Sequence, residues 1–479
     1  MQTRFNLTVI VIFVIIALWG TSCYDGKTNK EVIKNYINGI PHTLISAPDA
    51  MTVAYICKRE DKQKEFVGIG KTEGKEYDGV GFFRFSPDGR SIAYAAYNTG
   101  KWIMVINGIE KKQCPNLGEP YFSPDSKTIA YVSESENKAF IVTNDKDGKK
   151  YDYVSNPSFS PDGKTLVYGA KEGKKWFMVI NGIEKKRYDG VQLGRISFSS
   201  DSRRIAYYAK DGKKHFIIAD DIEQKQYDFV GHPYFSPDGV TIAYPAKKDG
   251  KWFIVRGKEE GKQYDEVGTP YFSPDGKTLV YGAKEGEKWV IVVNGIEKKR
   301  YNEVGSYLFN ATGDILAYAV RENEKYFIVV NDTENKKYDN TSQPFFSPDG
   351  QLLVYMANEG GELTTIDGVT KGGKWFIVIN GKEEGQRYNN NGSWNITIRS
   401  IIFSPDSKNI VCAVSRKEDA FVVCNGKEGN KYDQITDPVF INNSTYCYFA
   451  LDGKTLYKIT QKIVEGTGNS KNAISKSKK

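Results

Sequence analysis

One short string recurs along this chain of 479 residues, and its period constrains the fold more than any other feature. Phe-Ser-Pro-Asp-Gly or a close relative begins at Phe85, Phe122, Phe159, Phe235, Phe272, Phe346 and Phe403. Degenerate copies begin at Phe198, Phe309 and Phe440, and the most worn, SAPDA, at Ser46. Seven of the ten intervals are 37 residues, two are 39 and one is 57. A second marker, Tyr followed by Asp or Asn, keeps the same period from Tyr77 to Tyr432. Cys114 takes the Tyr slot once, and Tyr36-Ile37-Asn38 is a worn first copy. Both markers count to eleven. A fixed period of this length means stacked supersecondary units.

One copy shows what each unit is. Pro233–Ser236 reads as a short apolar strand, and Pro237-Asp238-Gly239 as a turn. Pro fixes φ there, Asp bonds the backbone ahead and Gly accepts a positive φ. Thr241–Ala246, Lys251–Arg256 and Lys262–Val267 read as three further strands, separated by Gly-containing turns. Four strands in 37 residues cannot bury two apolar faces alone, so the copies must pack on one another. The composition agrees, with 31 Tyr, 25 Phe, 7 Trp and 46 Gly favouring strands and tight turns. The expected fold class is all-β, a β-propeller of eleven four-stranded blades.

The residues FSPDGKTIAY followed by KWFIVING resemble the WD40-like propeller repeats of the TolB type, also called PD40 repeats. The resemblance covers about Lys34–Thr460 and implies a propeller without naming a ligand. Because rings of four to eight blades are usual, two rings of about six and five blades are preferred over a single large ring. The links at Tyr188–Phe198 and Tyr388–Phe403 are longer than the rest, which places the second ring at about 190–390. The last copy lacks a fourth strand. Lys34–Ile40 (KNYINGI) matches that strand and is expected to supply it from the N-terminus.

The first 22 residues read as a signal peptide, with an apolar core at Leu7–Trp19 that is short for a bilayer span. Gly20-Thr21-Ser22-Cys23 resembles a bacterial lipoprotein signal, although Gly20 stands where such signals usually carry Leu. The resemblance implies lipidation of Cys23, a tether over 23–33, and a place in the cell envelope, in the periplasm or at the outer membrane; plain secretion is the alternative. Residues 461–479 read as a disordered basic tail. That tail carries +4 and Arg4 +1, leaving the body about +3 of the net +8, too little for a nucleic-acid binder. Cys412 and Cys424 flank a turn and are either a disulfide or two buried thiols.

The sequence offers no catalytic constellation. GxSxG, HExxH and Walker-type loops are missing, and only His42, His215 and His232 are present. Asn144–Gly148 has the wrong residues at the end positions of an EF-hand loop, so neither a metal nor a cofactor is expected. The recurrent Trp102, Trp176, Trp252, Trp289 and Trp375 are expected to pack between blades. The Asp of each Pro-Asp-Gly string is expected to hold its turn. Two insertions break the period, at Asn358–Gly373 and about Asn390–Thr397. They offer Glu359, Glu362, Asp367 and Trp394 as candidate binding residues. The expected function is a non-enzymatic lipoprotein scaffold that binds another envelope protein or a polysaccharide. The alternatives are a propeller-based lyase or glycosidase acting on a polysaccharide, and a structural surface protein without a specific ligand.

Overall fold

The computed structural model describes residues 28–34, 40–49, 51–59, 62–194, 196–364, 369–389, 397–415 and 419–463. They form eleven antiparallel sheets, one per repeat. Blades 1 to 11 begin their inner strands at Ile40, Gly79, Tyr121, Tyr153, Gly190, Phe229, Glu266, Glu303, Asn340, Thr397 and Gln434. Each blade is a meander, so successive strands lie side by side from the inner to the outer edge.

The repeated strings are the hairpin chemistry. In blade 4, Ser160 Oγ donates to Asp162 Oδ1 at 2.6 Å, and the same carboxylate accepts from the Lys164 N–H at 3.1 Å. Gly163 takes a φ of 74°. Asn181-Gly182 turns the third strand into the outer one with both φ values positive, the geometry a two-residue hairpin needs. Asn181 Oδ1 also accepts from the Leu166 N–H at 2.8 Å, tying this turn to the start of the second strand. The turn role expected for the Asp residues is the one they play.

The blades close a single cycle. Blade 4 packs on blade 5 through Val167, Met178 and Tyr188 against Tyr207 and Phe216. Blade 9 packs on blade 10 through Val354 against Cys412 and Phe421. Blade 11 packs on blade 1 through Phe449 and Leu456 against Val53 and Phe66. The two-ring arrangement, with its second ring at about 190–390, would have separated blade 4 from blade 5 and blade 9 from blade 10. The longer links do not cross between rings, because blade faces of constant shape pack whatever the length of the chain joining them.

Closure comes from the N-terminus, by a segment that starts earlier than expected. Thr28–Lys34 pairs antiparallel with Thr455–Lys462 as the outermost strand of blade 11. It is this stretch, and not Lys34–Ile40, that completes the blade, so part of the supposed tether at 23–33 is sheet. Residues 35–39 lie outside the described residues. The basic tail also starts later than residue 461, since Gln461 and Ile463 are buried.

Cys412 is a free buried thiol and does not bond Cys424. Cys412 lies opposite Val423, and Val411 opposite Cys424. That offset of one residue puts the two cysteines on opposite faces of the sheet. Cys412 faces blade 9 and Cys424 faces blade 11.

Candidate functional site

One face of the propeller ring carries the Pro-Asp-Gly and Asn-Gly turns. The other, the link face, carries the hairpins between second and third strands and the links between blades. The Tyr-Asp marker belongs to the link face. Asp189 Oδ2 accepts from the Gly212 N–H at 2.7 Å, and Oδ1 from Lys175 Nζ at 2.8 Å. Asp152, Asp228 and Asp265 hold the same position in the adjacent blades.

Directly opposed residues on antiparallel strands point to one side of a sheet. In blade 4 this rule makes a row of Tyr153, Lys171 and Trp176. Blade 6 repeats it as Phe229, Lys247 and Trp252. Blade 5 has Lys210 and His215, and blade 7 Lys284 and Trp289. Lys171 Nζ lies 5.3 Å from the Trp176 ring centroid and Lys247 Nζ 5.4 Å from that of Trp252. Tyr153 and Phe229 complete the platforms, edge-on to Trp176 at 5.4 Å and to Trp252 at 5.5 Å. His215 bridges the blades, with its ring 5.2 Å from that of Phe229. Tyr153 is 45% exposed and Phe229 42%, so the platforms reach solvent.

The lysines in these rows keep their charge available. Lys175, Lys214 and Lys251 nearby are each held by an aspartate, Asp189, Asp228 or Asp265, within 2.9 Å. Lys171, Lys210, Lys247 and Lys284 have no such carboxylate among the described residues. Burial, helped by the Lys210 charge, pushes the His215 imidazole below its ordinary pKa, so it sits there neutral. The arrangement is a set of ammonium groups over aromatic faces in blades 4, 6 and 7, with Lys210 beside His215 in blade 5. It suits a ligand bearing both negative charge and flat apolar surface. Sequence analysis missed it because the Lys–Trp pairing depends on strand register. The expected interblade role of the tryptophans holds in part: Trp102, Trp176 and Trp375 border interblade clusters.

The insertion in blade 9 is a longer hairpin on the same face. Leu353–Thr364 and Val369–Ile379 extend the regular strands instead of forming an irregular loop. Glu359 is engaged there, accepting from Lys336 Nζ at 2.8 Å and Arg387 Nη1 at 2.9 Å. Lys336 and then Arg387 hold its carboxyl below the usual range. Glu362 lies on the extended strand, while its side chain, Asp367 and Trp394 lie outside the described residues, as does Cys23.

An inner-strand contact resembles hydrolytic machinery. Ser197 Oγ lies 2.9 Å from His232 Nε2, and Gln192 Nε2 lies 2.7 Å from Nδ1. Gln192 Oε1 accepts from the Tyr208 N–H at 3.3 Å, which orients the amide so that its N–H donates to Nδ1. Nε2 is then protonated and donates to Ser197 Oγ, while Ser197 donates to the Pro233 carbonyl. The proton directions run opposite to those of a serine activated by a base. Among the described residues no three His, Cys, Asp or Glu gather as metal ligands.

No family model matches the chain, and no curated protein matches it. Solved structures of propellers are similar to it. The β-propeller domain of the Trilobed protease from Pyrococcus furiosus is 14% identical, with 63% of this chain and 98% of that chain covered and a TM-score of 0.28. An oligogalacturonate lyase from Vibrio parahaemolyticus is 11% identical, with 67% and 95% covered and a TM-score of 0.31. A putative TolB from Agrobacterium tumefaciens is 15% identical, with 40% and 84% covered and a TM-score of 0.24.

Proposed function

We propose that this propeller is a non-enzymatic scaffold of the bacterial cell envelope, lipid-anchored at Cys23, which binds an acidic polysaccharide on the link face of blades 4 to 7. The carrying observation is the Lys–aromatic pair of blades 4, 6 and 7, with Lys210 in line between them and none of the four lysines in an ion pair among the described residues. A polymer of acidic sugars presents charge at regular intervals and a flat apolar face on each unit. Its carboxylates suit the ammonium groups and its sugar faces the exposed edges of Tyr153 and Phe229. The direction of the Gln192–His232–Ser197 hydrogen bonds supports binding without hydrolysis.

Affinity electrophoresis through gels containing alginate, dextran or no polymer tests this reading. Retardation by alginate alone, weakening as salt rises, is expected. The triple variant Lys171→Ala, Lys210→Ala, Lys247→Ala should bind about tenfold more weakly, since each lost contact is worth ~0.5 kcal/mol. Equal retardation of variant and wild type rejects the site. Retention of an acidic envelope protein in place of alginate would make the partner a protein.

A further inference from the structure

Among the described residues, eight interfaces between blades share one plug, and one interface lacks it. Tyr77, Tyr151, Tyr188, Tyr227, Tyr264, Tyr301, Tyr338 and Tyr432 each leave the outer strand of one blade and enter the next, where they are at most 4% exposed. Tyr151 shows the socket. Its aromatic ring meets Phe177 edge-on at 5.6 Å, Tyr168 and Val179 share its cluster, and its hydroxyl lies 3.2 Å from Glu184 Oε1.

The interface between blades 2 and 3 keeps the socket and has no ring in it. The residues 37 positions earlier are Cys114, Phe140, Tyr131, Val142 and Asp147. Phe140, Tyr131 and Val142 lie in the cluster there as their counterparts do one interface on. Cys114 replaces the tyrosine, paired opposite Trp102 as Tyr188 is opposite Trp176. Asp147 replaces the glutamate, and its carboxylate is drawn back by one methylene. The result is a cavity of about 570 Å³, open to solvent, whose lining includes these five residues and Lys112, with Lys111, Glu134 and Asp145 also at it. The volume lies in the range of small-molecule sites. A vacancy left in a core by a missing large side chain is known to accept an aromatic molecule.

We propose that this cavity is a binding site for a small phenol, whose aromatic ring takes the position that tyrosine occupies at the other interfaces. Phe140 meets the ring edge-on, Val142 and Tyr131 form its walls, and Cys114 leaves space for a short para substituent. The hydroxyl points to the mouth, where Asp147 accepts and Lys112, 3.4 Å from Asp147, neutralises the carboxylate. The site lies on the outer part of a single interface and is independent of the lysine rows on the link face.

Thermal melting of the whole chain with 4-methylphenol, and with toluene as the ring without a hydroxyl, tests the proposal. The phenol should raise the wild-type midpoint by about 2 °C or more at saturation, and toluene should raise it less. Cys114→Tyr and Cys114→Phe fill the socket from within. Both should melt higher than wild type without ligand and lose the response to the phenol. No shift in the wild type overturns the proposal, and so does an equal shift in the filled variants, which would place the phenol elsewhere. If neither variant folds, the socket does not accept an aromatic ring and the proposal also fails.

Discussion

The Tyr188 hydroxyl donates to the Glu223 carboxylate 2.8 Å away, across the boundary between blades 4 and 5. Lys186, two residues before Tyr188, reaches that carboxylate at 2.6 Å. The trio recurs as Lys225, Tyr227 and Glu260, and as Lys262, Tyr264 and Glu297. The Tyr-Asp marker therefore joins two roles. Its Tyr plugs and bonds the next blade, and its Asp closes a hairpin within the blade that follows.

Tyr188→Phe keeps the ring packing and removes only the bond to Glu223. It should cost about 1 kcal/mol, less than the ~1.5–3 kcal/mol of a bond to a charged group, since Glu223 is partly exposed. Chemical denaturation of the variant should show this loss. Tyr188→Ala should cost ~3 kcal/mol or more, because it opens a cavity as well. Equal losses from the two variants would show that the hydroxyl carries the interface.

The same carboxylates set the acid limit of stability. Glu110, Glu184, Glu223, Glu260, Glu297 and Glu334 are each held below the ordinary range, first by a lysine partner and next by the tyrosine hydroxyl or, for Glu334, by the charge of the same lysine. A carboxyl whose folded pKa is lowered stabilises the fold above its unfolded value, about 4.3, and ceases to do so as the pH falls through the folded value. The melting midpoint should therefore be level from about pH 7 to 5 and fall below about pH 4.5. The double variant Glu223→Gln, Glu260→Gln should melt lower at pH 7 and lose less on acidification. A wild-type midpoint that stays level to pH 3 contradicts the linkage.

The array of blades was legible because the Phe-Ser-Pro-Asp-Gly string writes a local turn, and local turns are set by neighbouring residues. The number of rings was not, because it depends on which faces meet, and link lengths at 188–198 and 388–403 do not report that. The closing strand was misplaced for a related reason. KNYINGI matches the outer-strand pattern, yet the strand that pairs is TNKEVIK, whose Lys30 ammonium lies 3.7 Å from the Tyr457 ring centroid. The lysine–aromatic rows were present in copies 4, 6 and 7 as Lys and Trp five residues apart. Only the hairpin register brings them to one side of the sheet. The Gln192–His232–Ser197 chain spans 40 residues and leaves no local signal at all.

Removing Thr28–Lys34 should expose the edge of Thr455–Lys462 and unlatch the ring. Lower thermal stability and concentration-dependent aggregation by light scattering are expected. A deletion that melts with the intact chain would mean that the other interblade contacts close the ring unaided.

Cys412 should be silent to thiol reagents in the folded protein. Burial pushes its thiol up to about 12, so little thiolate exists at neutral pH, and the side chain is enclosed. A time course with a chromogenic disulfide should show no labelling of Cys412 before unfolding, by peptide mapping. Reaction at the native rate of an exposed thiol would mean that the interface between blades 9 and 10 opens.

The binding surface has two candidate places, the long hairpin of blade 9 and the lysine rows of blades 4 to 7. Glu359 is already committed to Lys336 and Arg387 at the base of that hairpin, so removing 361–372 spares these bonds. The trimmed protein should melt within about 1 °C of wild type, because the described residues of the removed strands pair with each other. It should also keep its retardation in alginate gels, which the lysine variants lose. A trimmed protein that folds yet no longer binds would move the recognition site to blade 9, where an insertion on a rigid scaffold is a common place for one. Loss of binding in both the lysine variant and the trimmed variant would make the two elements parts of one surface, with the polymer running along the link face from blade 4 to blade 9.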